Sequence, residues 1–355
     1  MATKKLAVDH DTHLKTPRGG NWDRREFVKG MAAVVGSVGL LGNDLRPAAA
    51  EPALETTKIR LLHAPAICIA PQYLAEELLR AEGFTEVKFV ELGAKYPGAD
   101  DLATGRADLG MWDIPGLIPH LDTGKPIVLL AGVHAGCFEL FGNERVQTIR
   151  DLKGKTLAVS VIGGSEYVFL SSMLAYVGID PRKDVTWIQG EKLRDAMQLF
   201  SEGDADAFLG FAPQPQELRA KRIGHVIVNT AQDRPWANYF CCGVAGNREF
   251  VQKNPIATKR TIRAILKGAD ICAQEPERVA RFMADKGYEP RYEIGLEVLK
   301  SLPYTRWRES HPEDTLRFHA LRLHEFGMIK SSPQRLIAQG TDWRFLNELK
   351  KELKA

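Results

Sequence analysis

The sequence predicts an α/β protein of two lobes, each a mostly parallel sheet flanked by helices, with a helical C-terminal tail. Short β-rich runs alternate with longer amphipathic stretches from Thr57 onward, a pattern typical of βαβ units. The same succession of runs begins again at Asp151, and beyond Ala245 apolar residues recur at helical spacing.

The first lobe is predicted to begin with a strand at 58–63 and a helix at 71–82. Tyr73, Leu74 and Leu78 share one face of that helix, and Gly83 follows its end. Further strands are predicted at 87–92, 107–112 and 127–132.

The second lobe is predicted to repeat this arrangement. A charged turn at 151–155 leads into a strand at 156–161, and Gly163-Gly164-Ser165 opens a helix through Tyr176. Strands at 184–189, 205–209 and 226–229 and a helix at 192–202 follow. The segments 102–110 and 199–207 each contain a leucine, a glycine and an aspartate in that order, which indicates one equivalent helix-to-strand junction in each lobe.

A strand at 239–245 is predicted to carry the chain back to the first lobe. Helices covering that lobe are then predicted at 255–273, 277–286, 292–299, 315–326 and 343–353.

Composition and charge exclude several classes of protein. The chain has 355 residues, enough for two lobes with ample core, and 48 Lys plus Arg against 45 Asp plus Glu leave a net charge of +3. This balance gives no indication of a nucleic-acid partner. The five cysteines form no C-x-x-C pair and no zinc-binding spacing, so we interpret them as buried structural thiols and predict no metal and no cofactor.

The N-terminal region has the features of an export signal. Arg24-Arg25 stands before a glycine-diluted apolar run at 30–42, and small residues at 48–50 follow. The run is shorter than the ~20 residues of a spanning helix, so it is interpreted as a twin-arginine signal peptide at 1–50 with cleavage after Ala50. This predicts a periplasmic protein.

Motifs spread over the chain resemble one family. They are the paired leucine, glycine and aspartate segments, the turn and strand at 151–159, Gly178-Ile179-Asp180-Pro181, and the run at 247–255. In these residues the sequence resembles the periplasmic binding proteins of importers for nitrate, alkanesulfonate, taurine and pyrimidine thiamine precursors.

The resemblance implies a type II clamp that closes on a small-molecule ligand. Lobe one would comprise 57–150 plus 245–355 and lobe two 151–244, with chain crossings near 139–141 and 239–244. It also implies a monomer that docks with the membrane permease and ATPase subunits of an ABC importer.

Candidate ligand-binding residues are those predicted beyond the carboxyl ends of the strands, where open α/β sheets bind ligands. The candidates in the first lobe and at the crossover are Cys68, Trp112, Asp113, His134, Tyr239 and Phe240, and those in the second lobe are Gly164, Ser165, Glu166 and Phe211.

The chemistry of these residues leaves the ligand open. Glycines before a helix start at Ser165 suit an acidic ligand group such as a sulfonate, or form an ordinary N-cap. Glu166 and Asp113 instead favour a ligand with hydrogen-bond donors, and the aromatic residues suit a pyrimidine-like ring. His134, Cys137 and Glu139 are close in sequence but match no metal template.

Two alternatives to an importer component remain at this stage. Pyrimidine synthases of thiamine biosynthesis share the clamp fold, and a periplasmic sensor would present the same loaded clamp to a receptor. No nucleophile elbow or catalytic triad can be named from the spacing, and the export signal argues against a cytosolic enzyme. We therefore predict a binding protein and not an enzyme.

Overall fold

The computed structural model describes residues 51–93, 98–190 and 195–354, and the predicted signal peptide lies outside them. The described residues form two five-stranded sheets, ordered β2-β1-β3-β10-β4 and β7-β6-β8-β5-β9. The strands are β1 Lys58–His63, β2 Glu86–Glu91, β3 Leu109–Asp113, β4 Ile127–Ala135, β5 Phe138–Gly142, β6 Thr156–Val159, β7 Thr186–Gln189, β8 Ala207–Phe211, β9 His225–Asn229 and β10 Phe240–Asn247.

Both sheets are mixed and share one pairing pattern. In the first, β1 is parallel to β2 and β3, whereas β10 is antiparallel to β3 and β4. In the second, β6 is parallel to β7 and β8, whereas β5 is antiparallel to β8 and β9. The antiparallel strand is in each case the one that enters from the other sheet. The predicted two-lobed α/β class is confirmed, but the sheets are mixed and not mostly parallel, because each contains one strand that enters from the other sheet and pairs antiparallel on both sides.

The chain crosses between the sheets earlier than the sequence indicated. The predicted crossing near 139–141 and the predicted start of lobe two at Asp151 are both too late in the chain. Strand β5, Phe138–Gly142, already pairs with β8 in the second sheet. The crossing lies at Gly136 and Cys137, between β4 and β5. Gly136 has a φ of 55°, and an added Cβ would collide with the backbone of Ala231, so only glycine fits this turn. The return crossing lies between β9 and β10, just before the predicted 239–244.

Helices cover both sheets. They are α1 Ala70–Ala81, α2 Ala99–Ala103, α3 Ile114–Asp122, α4 Ser165–Tyr176, α5 Asp195–Glu202, α6 Gln214–Lys221, α7 Arg248–Lys253, α8 Pro255–Gln274, α9 Pro276–Asp285, α10 Tyr292–Ser301, α11 Arg306–Glu309, α12 Pro312–Glu325, α13 Pro333–Gly340 and α14 Arg344–Glu352. The long α8 packs on α1, while α12 contacts α3 and α4. No helix in the described part of the chain is long and apolar enough to cross a membrane.

The predicted internal echo corresponds to one structural role in each lobe. Asp108 accepts a hydrogen bond from the backbone N–H of Arg60 at 2.7 Å, and Asp206 accepts one from the backbone N–H of Thr156 at 3.0 Å. Each aspartate thereby fixes the start of a central strand against its parallel neighbour. The glycine three residues earlier has a positive φ in both lobes and ends the preceding helix.

Candidate functional site

Asp113 and Ser165 join the two lobes directly. Asp113 ends β3, and Ser165 begins α4. Ser165 Oγ donates a hydrogen bond to Asp113 Oδ1 at 2.5 Å, and the backbone N–H of Gly116 donates one to Asp113 Oδ2 at 2.7 Å. One carboxyl oxygen thus caps α3 and the other reaches the second lobe. We call Asp113, Gly116, Ser165 and Glu166 the lobe junction.

Gly116 is the junction residue that sequence reasoning missed. A Cβ at this position would lie 2.5 Å from both Asp113 Oδ2 and Ser165 Oγ, so a side chain would separate the two groups. Asp113 followed by Pro115 is a recognisable helix-start signal. That signal does not reveal the contact with Ser165, because Ser165 belongs to the other lobe.

Two buried carboxyl groups give the lobe junction an acidic character. Burial raises the pKa of Asp113 to about 7, despite the hydrogen bond from Ser165, and nearby Cys242 and Glu166 raise this pKa further. Burial likewise raises the pKa of Glu166, whose Oε1 accepts a hydrogen bond from Ser160 Oγ at 3.3 Å. Around neutral pH, Asp113 therefore changes between a neutral hydrogen-bonding acid and a carboxylate.

The start of α4 already faces acidic groups. Gly164 occupies its N-cap position and provides no side-chain cap, while Glu166 lies in the first turn and Asp113 contacts Ser165. The positive end of a helix dipole attracts negative charge. Here carboxyl groups of the protein occupy that position, which is unfavourable for a second, anionic partner.

A second buried contact joins α4 to α12. Ser172 Oγ is 2.8 Å from Nδ1 of His319, and the ring of Phe169 meets His319 edge to face at 5.0 Å. Burial lowers the pKa of His319 to about 3, and Arg322 lowers it further. The imidazole is therefore neutral at neutral pH.

Two further ion pairs link α6 of the second lobe to residues of the first lobe. Glu217 of α6 pairs with Arg291 at 2.7 Å. Arg219 of the same helix pairs with Glu297 at 2.8 Å. A small cavity between α6 and α10 has a volume of about 20 Å³, which is roughly enough for one water molecule. Side chains of α6 and α10 therefore pack closely across the two lobes at this place.

Trp112 and Phe211 lie at strand ends, as predicted. Trp112 precedes Asp113 in β3, is partly buried, and packs against Gly98, where an added Cβ would lie 2.6 Å from the indole. Phe211 ends β8 and meets Phe138 edge to face at 5.7 Å. Their role in ligand binding stays a prediction.

The other two predicted aromatic residues lie elsewhere. Tyr239 stacks on Phe318 at 4.1 Å and lines an open hollow of about 610 Å³ beside α12, away from the lobe junction. Phe240 is 2% exposed and packs over Gly132 in the core of the first lobe. Phe240 is the first residue of β10 and its side chain faces the core, whereas Tyr239 precedes the strand.

Cys68 and His134 meet three cysteines that we interpreted as structural thiols. Ligand atoms of Cys68, His134 and Cys242 lie within 4.8 Å of one another, as do those of Cys137, Cys241 and Cys242. We call these five residues the cysteine cluster. Spacing along the chain did not predict this convergence, because the five residues come from three separate stretches of the sequence, at 68, 134–137 and 241–242.

The thiols of the cluster are electrostatically unequal. Hydrogen bonds from Cys137, Cys241 and Cys68, together with the charge of His134, hold the pKa of the Cys242 thiol below its ordinary value. Burial raises the pKa of Cys137 and Cys241. Cys242 is therefore the thiol that most readily becomes a thiolate.

Comparison with solved structures defines the class of protein. The periplasmic nitrate-binding protein NrtA from Synechocystis matches with a TM-score of 0.68 at 17% identity, over 85% of this chain and 90% of that chain. The alkanesulfonate-binding protein SsuA from Xanthomonas axonopodis pv. citri, bound to MOPS, matches with a TM-score of 0.65 at 17% identity, over 82% and 100%. The fold is that of the periplasmic binding proteins.

Sequence comparison then gives the family. The family model described as NMT1/THI5 like matches residues 70–279, and the chain belongs to that family. A curated relative, the nitrate/nitrite binding protein NrtA of a Nostoc species, is 21% identical over 267 residues. The match covers 68% of this chain and 60% of the relative's length. The resemblance predicted from the motifs is confirmed.

Proposed function

We propose that this protein is the solute-binding component of an ABC importer and captures a small organic solute between its lobes without chemical change. The observation that carries the proposal is the hydrogen bond between Asp113 and Ser165, which joins the lobes at the strand and helix ends where this fold class places ligands. A ligand that replaces this contact would be enclosed by both lobes, and the permease and ATPase would recognise the closed shape.

The lobe junction favours a neutral or cationic solute with hydrogen-bond donors, such as a pyrimidine-like heteroaromatic compound. Asp113 and Glu166 are buried carboxyl groups, and the groups that act most strongly on the pKa of Asp113 include no cation. A nitrate or sulfonate in this place would meet like charge once Asp113 ionises. A donor-bearing ring would instead satisfy the carboxyl oxygens, with Trp112 and Phe211 available for stacking.

We also propose that the protein acts as a monomer in the periplasm after twin-arginine export. The support is the Arg24-Arg25 motif and the small residues before Glu51. Replacing both arginines by lysine should abolish export, and N-terminal sequencing of the exported protein should begin at Glu51. An exported protein that retains residues 1–50 would contradict the cleavage.

The test of solute binding is a thermal-shift screen of pyrimidines, amino compounds, nitrate and alkanesulfonates, followed by calorimetry. A ligand that binds only the folded state raises the melting temperature. Asp113→Asn, Ser165→Ala and Trp112→Ala should each weaken binding about tenfold, the equivalent of one hydrogen bond or ring contact.

Ser201→Ala is the matched control, since Ser201 is exposed on α5 and bonds only within its helix. Saturable binding of a donor-bearing solute that is recovered unchanged would support the proposal. Unaltered affinity in the three junction variants, or tight binding of nitrate or sulfonate alone, would contradict the site or the solute class. A ligand recovered chemically altered would favour the enzyme alternative.

A further inference from the structure

The cysteine cluster concentrates soft donor atoms in a buried place. The Sγ atoms of Cys137 and Cys242 are 3.9 Å apart, and those of Cys241 and Cys242 are 3.8 Å apart. With metal–sulfur bonds of about 2.3 Å, two sulfurs of a tetrahedral site lie about 3.8 Å from each other. The Cys137–Cys242 spacing therefore matches the edge of such a site, and both spacings are far from the ~2.05 Å of a disulfide.

Strand pairing builds the cluster. Cys242 of β10 lies opposite His134 of β4 and opposite Asp113 of β3. Adjacent residues of a strand normally face opposite sides, but the pairing of β10 with β4 shifts register between Phe240 and Cys242. A shift of this kind re-aims side chains, and it accounts for Cys241 and Cys242 both reaching the cluster.

His134 is a buried histidine beside Cys242. The residue is 0% exposed, its Nδ1 lies 3.3 Å from the carbonyl oxygen of Ala135, and its Nε2 makes no hydrogen bond of ordinary geometry to any residue that the structure describes. A buried polar atom without a partner costs free energy. A histidine that binds a metal through one nitrogen commonly donates the other N–H to a backbone carbonyl, which is the geometry of His134.

Surrounding residues hold the cluster in place. Tyr304 is fully buried, donates a hydrogen bond to the carbonyl oxygen of Cys68 at 3.2 Å, and meets the ring of His134 edge to face at 5.2 Å. Cys68 itself lies in the short turn Ile67–Ile69 after β1. The donors are thus fixed by β-sheet pairing and by a buried tyrosine rather than by an exposed loop.

We propose that the cysteine cluster binds one thiophilic metal ion, Zn²⁺ or Cu⁺, through Cys68, His134 Nε2 and Cys242, with Cys137 beside the fourth position. Thiolate and imidazole ligands select such ions over Mg²⁺ or Ca²⁺. With Zn²⁺, two thiolates and a neutral imidazole give a buried site with no net charge, whereas with Cu⁺ one thiolate suffices and the other cysteine keeps its proton. Binding replaces the thiol protons, which are released to solvent.

The experiment uses the full-length protein with its thiols reduced under anaerobic conditions. In separate arms it is titrated with Zn²⁺ and with Cu⁺, desalted, and its metal content measured per chain. Co²⁺ serves as a spectroscopic probe, because thiolate ligation gives charge-transfer absorption in the near ultraviolet. We expect one ion per chain, and the arm that retains it identifies the ion.

Cys242→Ser should lower the affinity by more than about 100-fold, beyond the usual effect of losing an outer-shell partner. Cys68→Ala is the second ligand variant, and circular dichroism identifies any variant that does not fold. Cys272→Ser is the matched control, since Cys272 is equally buried, in α8, and lies outside the cluster. It should bind the ion as the unmodified protein does.

Three results would overturn the proposal. The first is that neither arm retains an ion. The second is that folded Cys242→Ser and Cys68→Ala bind the ion as tightly as the unmodified protein does. The third is that the cysteines of the cluster form a disulfide in preference to binding metal. The experiment measures metal binding alone, so its result does not depend on whether the protein binds a solute.

Discussion

Gly116 decides whether Asp113 and Ser165 can touch. A Cβ there would lie 2.5 Å from an oxygen of each residue, and overpacking of this kind costs about 1–3 kcal/mol. We therefore expect Gly116→Ala to lower the free energy of unfolding by that amount and to weaken solute binding. Urea unfolding and calorimetry measure the two effects.

Gly295→Ala is the control at the residue scale. Gly295 also lies inside a helix, α10, but an added Cβ would be no closer than 3.8 Å to its neighbours. Alanine is favoured over glycine in helices by up to about 1 kcal/mol, so this variant should be stabilised. A Gly116→Ala protein as stable as Gly295→Ala would show that the junction contact is dispensable.

At the scale of elements, the packing of α12 on α4 depends on a neutral His319. Its folded pKa is about 3, against 6.5 for a free histidine, and Ser172 of α4 lies 2.8 Å away. The unfolded chain binds a proton more readily, so the stabilising contribution is present above pH 6.5 and is lost as the pH falls toward 3.

We expect His319→Gln to lose part of the acid sensitivity of the protein. Each pKa unit corresponds to about 1.4 kcal/mol, so the slope of unfolding free energy between pH 6.5 and 4 should be visibly shallower in this variant. His324→Gln, at an exposed position of the same helix, should retain the original slope. Parallel pH profiles for His319→Gln and the unmodified protein would refute this role.

At the scale of the whole molecule, Arg219 and Arg291 form ion pairs that link α6 of the second lobe to the first lobe. Their side chains are 38% and 45% exposed, and both ion pairs bridge α6 to the first lobe. Exposed pairs contribute about 0–1 kcal/mol each. Together the two pairs contribute up to about 2 kcal/mol, so removing both arginines should shift the clamp toward an open form by up to about 30-fold.

Small-angle scattering without solute measures this shift as a larger radius of gyration for the double alanine variant. High salt should produce a similar change in the unmodified protein, because salt screens the pairs. Arg80→Ala is the control, since Arg80 pairs with Glu76 within α1. An unchanged radius in the double variant would assign closure to the buried contacts alone.

The sequence by itself determined the α/β class, most strands and the longer helices in their order, but not the shorter helices α3 Ile114–Asp122 and α6 Gln214–Lys221. Strand β1 occupies the predicted 58–63, and α8 runs at Pro255–Gln274 against a predicted 255–273. Local propensity and the spacing of apolar residues suffice for such elements. The short β5 was not identified as a strand, because five residues beside a chain crossing carry too little periodicity.

Sequence reasoning also placed Asp113 and Ser165 among the site residues, since strand ends in this class of sheet converge. It did not predict the hydrogen bond between them. Nor did it predict that position 116 must be a glycine for the two side chains to meet. Phe240 was assigned to the ligand site and packs in the core instead. Which face of β10 a residue occupies depends on pairing with β3 and β4, and the sequence of β10 alone does not specify that pairing.

Only the tertiary structure decided the cysteine cluster. Cys137 and Cys242 are 105 positions apart in the chain, and their contact requires both crossings, the register of β10 and the turn after β1. Spacing templates detect metal ligands that are close in sequence. Donors brought together by separate strands leave no such pattern, because it is the pairing of the sheet that sets the distances between them.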